Sequence, residues 1–184
     1  MFGQDVIGDG LYEEGLIDFL RENYKTSSTL SYDSARDVMY GNIDNYDGTV
    51  YGIYTNFSVS NVPVDEPRPT VHAGGLNCEH VWPQSMYEDG GDNSLMRCDL
   101  HQLRPCKSNV NQSRGNNPFN ENPNSQTDNW FWLDQNLSSI PTSNIDEYSE
   151  SEISTDLDFF EPREDRKGDI ARTMFYFYTM YSEV

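Results

Sequence analysis

The sequence predicts an α+β fold, and three observations predict it. Apolar residues recur at helical spacing near each end of the chain. Between them lie short runs rich in Val, Ile, Tyr and Phe, which favour strands. These elements do not alternate as βαβ units, so a parallel sheet is not expected. The length of 184 residues fits a single domain, 1–184, with enough chain for a sizeable core. No internal repeat is visible.

Taken in order, Tyr12 to Tyr24 reads as a helix, because Leu16, Phe19 and Leu20 share a face. Ser31 to Ile43 reads as a second helix, capped by Ser31 or Asp33. Asn45 to Gly48 is a turn, and GTVYGIYTNFSV is expected to be one strand. Val62 to Pro69 carries three prolines and reads as a loop. From Ala73 to Phe119 the expected order is strand, loop, strand, helix. The first strand carries Glu79 and His80, within LNCEHVWPQS. The second, Asp99 to Leu103, carries His101. Pro105 then starts a helix bearing Asn109, Val110, Asn111 and Arg114. Asn116 to Asn129 is a polar loop, Trp130 to Leu133 returns to the core, and Ser138 to Asp158 is an acidic surface excursion. Pro162 opens a last helix that runs to about residue 182. Its core stripe is Ile170, Met174, Phe177 and Tyr181, widened by Phe175 and Tyr178.

Composition narrows the function classes. Hydrophobic residues make up 35% and aromatics 13%, enough to build a core and to exclude a disordered chain. No apolar run reaches the length of a membrane span, so a soluble protein without a membrane partner is expected. The opening MFGQDVIGDG has no basic start and no apolar stretch. It is not a signal peptide, although one can have been removed.

The net charge of −19 argues against a nucleic-acid partner if read as an average. The distribution reads differently. Asn144 to Asp165 holds nine acidic residues and one base, Arg163. Asn93 to Pro118 holds Arg97, Arg104, Lys107 and Arg114 against Asp99 alone. Exposed charges beyond about 8–10 Å are screened at physiological salt, so a local basic strip can hold a phosphate on an acidic protein.

The cysteines are Cys78, Cys98 and Cys106, and an odd count leaves at least one unpaired or paired between chains. No CxxC or Cys/His spacing marks a zinc site. An extended Asp99 to Leu103 holds Cys98 and Cys106 roughly 20 Å apart at about 3.3 Å per residue. A disulfide tolerates less than about 7 Å between Cα atoms. Antiparallel pairing of the two strands would instead bring Cys78 towards Cys106, the bridge expected here.

The residue types between Leu76 and Phe119 suit phosphodiester hydrolysis. Water must lose a proton, and histidine titrates near neutrality. Charge on the phosphate and the leaving oxygen must be stabilised, which a hard divalent cation does. Glu79 offers a carboxylate oxygen and Asn111 an amide oxygen, which suits Mg²⁺ with its retained waters. Mn²⁺ or Ca²⁺ are alternatives at the same site. Adjacent strand residues point to opposite sides, so Glu79 and His80 require a bend to act together. Arg114 follows Asn111 by three residues on one helix face and could grip a phosphate. Taken singly, each residue has a plain structural reading: His101 as a buried, hydrogen-bonded histidine, His72 as a structural one, Arg104 and Lys107 as surface charges. The joint pattern carries the inference.

That pattern resembles a known family. NCEHVWPQS, then DLHQLRP, then NVNQSRGNNPF look like the bacterial endonuclease I family of His-Me finger, or ββα-metal, nucleases. FEPREDRKGDIARTMFYFYTMY is similar to its closing helix and SYDSARDVMYGNID to its early part, so the resemblance covers most of the chain. It implies a ββα-metal core at about 73–119. It also implies His80 as general base, Glu79 and Asn111 as metal ligands, and Arg114 and Asn116 near the bound phosphate. Arg104 and Lys107 join Asn116 as candidate nucleic-acid contacts. Such enzymes cut DNA, often RNA too, with little sequence preference, leave 5′-phosphates, and are secreted or periplasmic. A monomer is favoured. Arg97 stands where some relatives carry an acidic residue near the metal, which implies a leaner metal shell. The rival reading is a secreted acidic module that binds Ca²⁺ through EDGGDNS (88–94) and DEYSESE (146–152) without catalysis. A narrower rival is an RNA-restricted enzyme of the same fold.

Overall fold

The computed structural model describes residues 6–87, 94–153 and 158–181. Helix α1, Glu13–Tyr24, lies against the final helix, and Arg21 Nε donates to Thr179 O at 3.2 Å. Helix α2, Tyr32–Val38, starts at Ser31, whose hydroxyl accepts from Ser34 N at 3.2 Å. Of the two expected caps, Ser31 is the one used. The helix then widens into a π-turn, Met39–Ile43.

The run expected as one strand is two. β1 (Asn45–Tyr46), β2 (Thr49–Tyr51) and β3 (Ser58–Ser60) form an antiparallel sheet. Asp47 and Gly48, both at positive φ, make the tight β1–β2 turn, as an Asp-Gly pair favours. Between β2 and β3 the chain leaves its own sheet. Gly52 N bonds Phe57 O at 2.7 Å, and Ile53 N bonds Pro105 O at 2.8 Å. A Cβ on Gly52 would lie 3.2 Å from Lys107 N, so this close approach calls for glycine. The expected Val62 to Pro69 loop ends as helix α3, Arg68–Ala73, already under way.

Strands β4 (Leu76–His80) and β5 (Leu103–Lys107) form a two-stranded antiparallel ribbon, and helix α5, Ser108–Arg114, follows without a gap. The second strand thus lies four residues later than its alternation suggested. Asp99 to Gln102 is a turn after the short helix α4, Ser94–Arg97, tied by Gln102 N to Asp99 O at 3.1 Å. Pro105 sits inside β5 opposite Cys78 rather than opening the helix. A ribbon of two strands tolerates a residue without an N–H, because no third strand needs it. His101 is therefore a turn residue with its side chain 69% exposed, not a buried strand histidine. It stacks on Tyr176 and its Nδ1 lies 3.0 Å from Asp99 Oδ1.

The expected Cys78–Cys106 bridge does not form, and no disulfide joins any of the three cysteines. The register explains this. Cys78 pairs with Pro105 and Cys106 with Asn77, so the two cysteines are one position out of step and point to opposite faces. Cys78 packs with the cluster of Met39, Tyr40, Val71, Leu76 and Leu103. Cys106 packs with Tyr54, Val81, Val110, Phe131, Phe160 and Ile170. The ribbon thus lies between two apolar clusters.

The return at Trp130 is strand β6 (Asn129–Trp132), central in a four-stranded antiparallel sheet of order β7-β6-β8-β9. Its partners are β7 (Gln135–Leu137), β8 (Ser149–Glu152) and β9 (Phe159–Glu161). The expected acidic excursion therefore contains a paired strand, with Ser149, Glu150, Ser151 and Glu152 all buried. Helix α6, Glu164–Met180, begins two residues after Pro162. Ile170, Phe177 and Tyr181 are buried, whereas Phe175 and Tyr178, expected to widen the core stripe, are 72% and 52% exposed. No helix among the described residues is long and apolar enough to cross a membrane.

Candidate active site

The ribbon and helix α5 bring Glu79, His80 and Asn111 to one cavity of ≈ 430 Å³, which Cys78, Gln84, Gly115 and Asn116 also border. The chain bends at Val81 and Trp82, directly after His80. Glu79 and His80 each reach the cavity from their own face of the strand, which ends at His80. Both are buried, at 2% and 7% exposure.

On the Glu79 side, Tyr54 donates its hydroxyl to Oε1 at 2.7 Å, and Arg114 Nε stands 3.6 Å from the same oxygen. Burial pushes the carboxyl up to about 7, against the opposing pull of Arg114, Tyr54 and the His80 backbone N–H. Such a carboxylate favours a cation beside it. The Asn111 amide donates Nδ2 to Asn77 Oδ1 at 2.8 Å and to Cys78 O at 3.0 Å. With its NH₂ committed, its oxygen is the atom left for a ligand. A carboxylate oxygen and an amide oxygen on one open cavity fit a hard divalent cation that keeps several waters.

On the His80 side, Nε2 lies 3.0 Å from Arg97 O. A carbonyl only accepts, so Nε2 carries the hydrogen and Nδ1 is the basic nitrogen. The ring stacks on Tyr32, with centroids 5.6 Å apart. The Gln84 amide nitrogen lies 2.8 Å from Nε2 and 3.2 Å from Nδ1, along the edge of the ring. Burial, then the nearby Arg97 and Arg36 cations, lower the imidazole to about 4, while the Arg97 carbonyl pulls the other way. The ring is neutral at pH 7.

Arg114 does not project into this cavity as a phosphate clamp. It is 1% exposed. Nη2 donates to Val81 O at 2.8 Å, Nη1 to Gly115 O at 2.9 Å, and the guanidinium lies 4.6 Å over Phe119. Its place is behind Glu79. Asn116 is exposed at the rim. Arg104 and Lys107 do not border the cavity. Arg104 Nη1 donates to Leu103 O at 2.8 Å and Leu100 O at 3.3 Å. Lys107 pairs with Asp134 and lies 4.8 Å over Phe57. Arg97 lies 4.3 Å over Tyr32.

Tyr54, Tyr32 and Gln84 hold the key groups, and the sequence singled out none of them. Gln84 follows His80 by four residues inside the motif, which is a signal that could have been used. Tyr54 is 25 residues from Glu79, so only tertiary folding joins them. An acidic group of Glu121, Glu161 and Glu164 lies elsewhere, but Lys167 already pairs with all three and supplies the cation. The candidate calcium segments fare differently. Residues 88–93 of EDGGDNS lie outside the described residues. DEYSESE is a 3₁₀ turn and strand β8, not an open loop.

An antiparallel ribbon with a following helix thus presents a buried carboxylate, an imidazole and an amide oxygen to one cavity. The chain belongs to the endonuclease I family, whose description matches residues 9–184. It is similar to the extracellular ribonuclease of Bacillus subtilis (strain 168), 34% identical over 111 residues, 60% of this chain and 31% of that protein. It is also similar to the extracellular ribonuclease of Bacillus amyloliquefaciens, 33% identical over 108 residues, 59% of this chain and 30% of that one. The match thus spans under a third of the length of these curated relatives.

Proposed function

We propose that this chain is a secreted or periplasmic endonuclease, dependent on a divalent metal, that hydrolyses phosphodiester bonds of DNA, and of RNA, to 5′-phosphate products. The observation that carries the reading is the convergence of Glu79, His80 and Asn111 on one cavity. Membership of the endonuclease I family and the extracellular ribonucleases among its relatives support it.

Glu79 and Asn111 would hold the cation, with Mg²⁺ as first choice and Mn²⁺ or Ca²⁺ able to take its place. When bound, it supplies charge for the phosphate and the departing 3′ oxygen. His80 accepts a proton from the attacking water at Nδ1, while Arg97 O keeps the hydrogen on Nε2. For this, water must reach Nδ1 past the Gln84 amide nitrogen, which lies 3.2 Å away. Arg114 orients and balances Glu79 from behind, and Asn116 contacts the nucleic acid at the rim. Arg104 and Lys107 meet it only outside the cavity. Weak sequence preference follows when contacts go to the backbone and not to base edges.

A plasmid-nicking assay tests the reading. Nicking with Mg²⁺, its loss with chelator, and loss in His80→Ala at unchanged thermal stability are expected. Near-wild-type turnover in His80→Ala would show that another group is the base. Cleavage of RNA alone supports the RNA-restricted form, and no cleavage of either polymer would leave the acidic binding module.

A further inference from the structure

We propose that the groove beside the catalytic cavity is a nucleobase subsite for unpaired nucleic acid. This rests on the nuclease reading above. A second cavity of ≈ 360 Å³ has Trp82, Pro83, Met86, Asn116, Pro118 and Phe119 in its walls. Pro83 and Asn116 also border the catalytic cavity, so the two spaces adjoin. A strand whose phosphate lies at Glu79 and His80 carries its neighbouring base to this groove.

The lining suits a base. Among the described residues no carboxylate contributes to it, on a chain of net charge −19. It offers aromatic rings, prolines and a thioether to a flat π-face, and the amides of Asn116 and Asn117 to ring edges. Trp82 is braced by Phe177, stacked at 5.3 Å. The Trp82 indole N–H has no hydrogen-bond partner among the described residues. The volume falls within the range of about 300–1,000 Å³ usual for small-molecule sites.

The charges argue the same way. The cations of the basic strip are all engaged within the protein: Arg97 over Tyr32, Arg104 on backbone carbonyls, Lys107 on Asp134, Arg114 buried behind Glu79. Phosphate contacts therefore add little grip, and base contacts must supply it. Stacking is sequence-tolerant, because every base has a π-face. A base inside a duplex is already stacked, so the groove selects single strands or loops.

The test is cleavage of oligonucleotides in Mg²⁺ or Mn²⁺. Single strands are expected to be cut faster than the matching duplex. An abasic residue moved along the strand should lower kcat/KM by about tenfold when it flanks the scissile phosphate on one side, the scale of one base–side-chain stack. Met86 is 49% exposed, so Met86→Ala leaves the core alone. That variant should lose part of the preference for the base-bearing strand while cutting the abasic strand at the wild-type rate. Equal cutting of abasic and base-bearing strands at every position would overturn the subsite and leave the nuclease reading intact. No cleavage of any oligonucleotide would overturn both.

Discussion

Arg114 and Glu79 are the two most consequential side chains at the residue scale. Their side chains are 2% and 3% exposed, and neither has water to fall back on. Removing one partner from a buried pair leaves an uncompensated charge, which typically costs about 3–5 kcal/mol. Arg114→Met should therefore destabilise the protein by about that amount in chemical denaturation. Adding Glu79→Gln should restore part of the loss, because the stranded charge is gone. The single variant should also weaken metal binding, read by calorimetry with Mn²⁺. If Arg114 were a surface phosphate clamp, Arg114→Met would change activity and leave stability alone. The cysteines offer a second residue-scale check. Intact mass should be the same with and without reductant, and all three thiols should react with a thiol reagent once the chain is unfolded.

At the scale of elements, the region from Ser31 to Gly41 sets the wall behind His80, since Tyr32 stacks on its ring. Ser31→Ala removes the N-cap of α2 and should cost about 1 kcal/mol. Gly41 lies in the π-turn, where a Cβ would come within 2.5 Å of the Val64 carbonyl oxygen. The atoms met first are the Val64 backbone carbonyl, which cannot swing aside as a side chain would. Gly41→Ala should lower the thermal midpoint more than Ser31→Ala does. Strand β8 carries a different burden. Glu150 is buried, and burial first, then Glu161 and Glu121, push its carboxyl up to about 7, while Thr127 and Lys167 pull it down. A carboxyl raised from its usual 4.5 binds its proton more tightly in the folded state. Its stabilising effect is full below about pH 4.5 and is lost as pH rises through about 7. Glu150→Gln keeps a neutral group there. Its thermal midpoint should fall less than that of wild type between pH 4.5 and 7, as a pH series of melts would show.

At the scale of the whole molecule, charge sets the terms of substrate binding. A chain of −19 whose basic strip is spent internally cannot release many counterions when it meets a nucleic acid. The salt slope of KM on single-stranded DNA should correspond to about two phosphate contacts or fewer, against the six to ten of strongly cationic binders. A steep slope, measured by titrating KCl, would mean that the cations leave their internal partners to bind phosphate. Affinity and chemistry thus separate: a cation on Glu79 and Asn111, as proposed above, would supply positive charge at the scissile phosphate without adding to the salt slope.

Elements with local signals were legible from residue order alone. Helices α1 and α6 follow from apolar spacing, the Asp-Gly turn from backbone preference, and strand β4 with Glu79 and His80 from its motif. Asn111 on the helix after the second strand was legible in the same way. Features that depend on register and on distant partners emerged with folding. Pairing out of step by one residue placed Cys78 and Cys106 on opposite faces, and Pro105 kept its place in a ribbon with no third strand. Tyr54 became the partner of Glu79 across 25 residues of chain, and the buried Glu150 and Glu152 found room in a sheet that composition marked as surface. Periodicity reports which face of an element is apolar. It carries no information about which distant group will meet a buried charge, and that meeting fixes the chemistry.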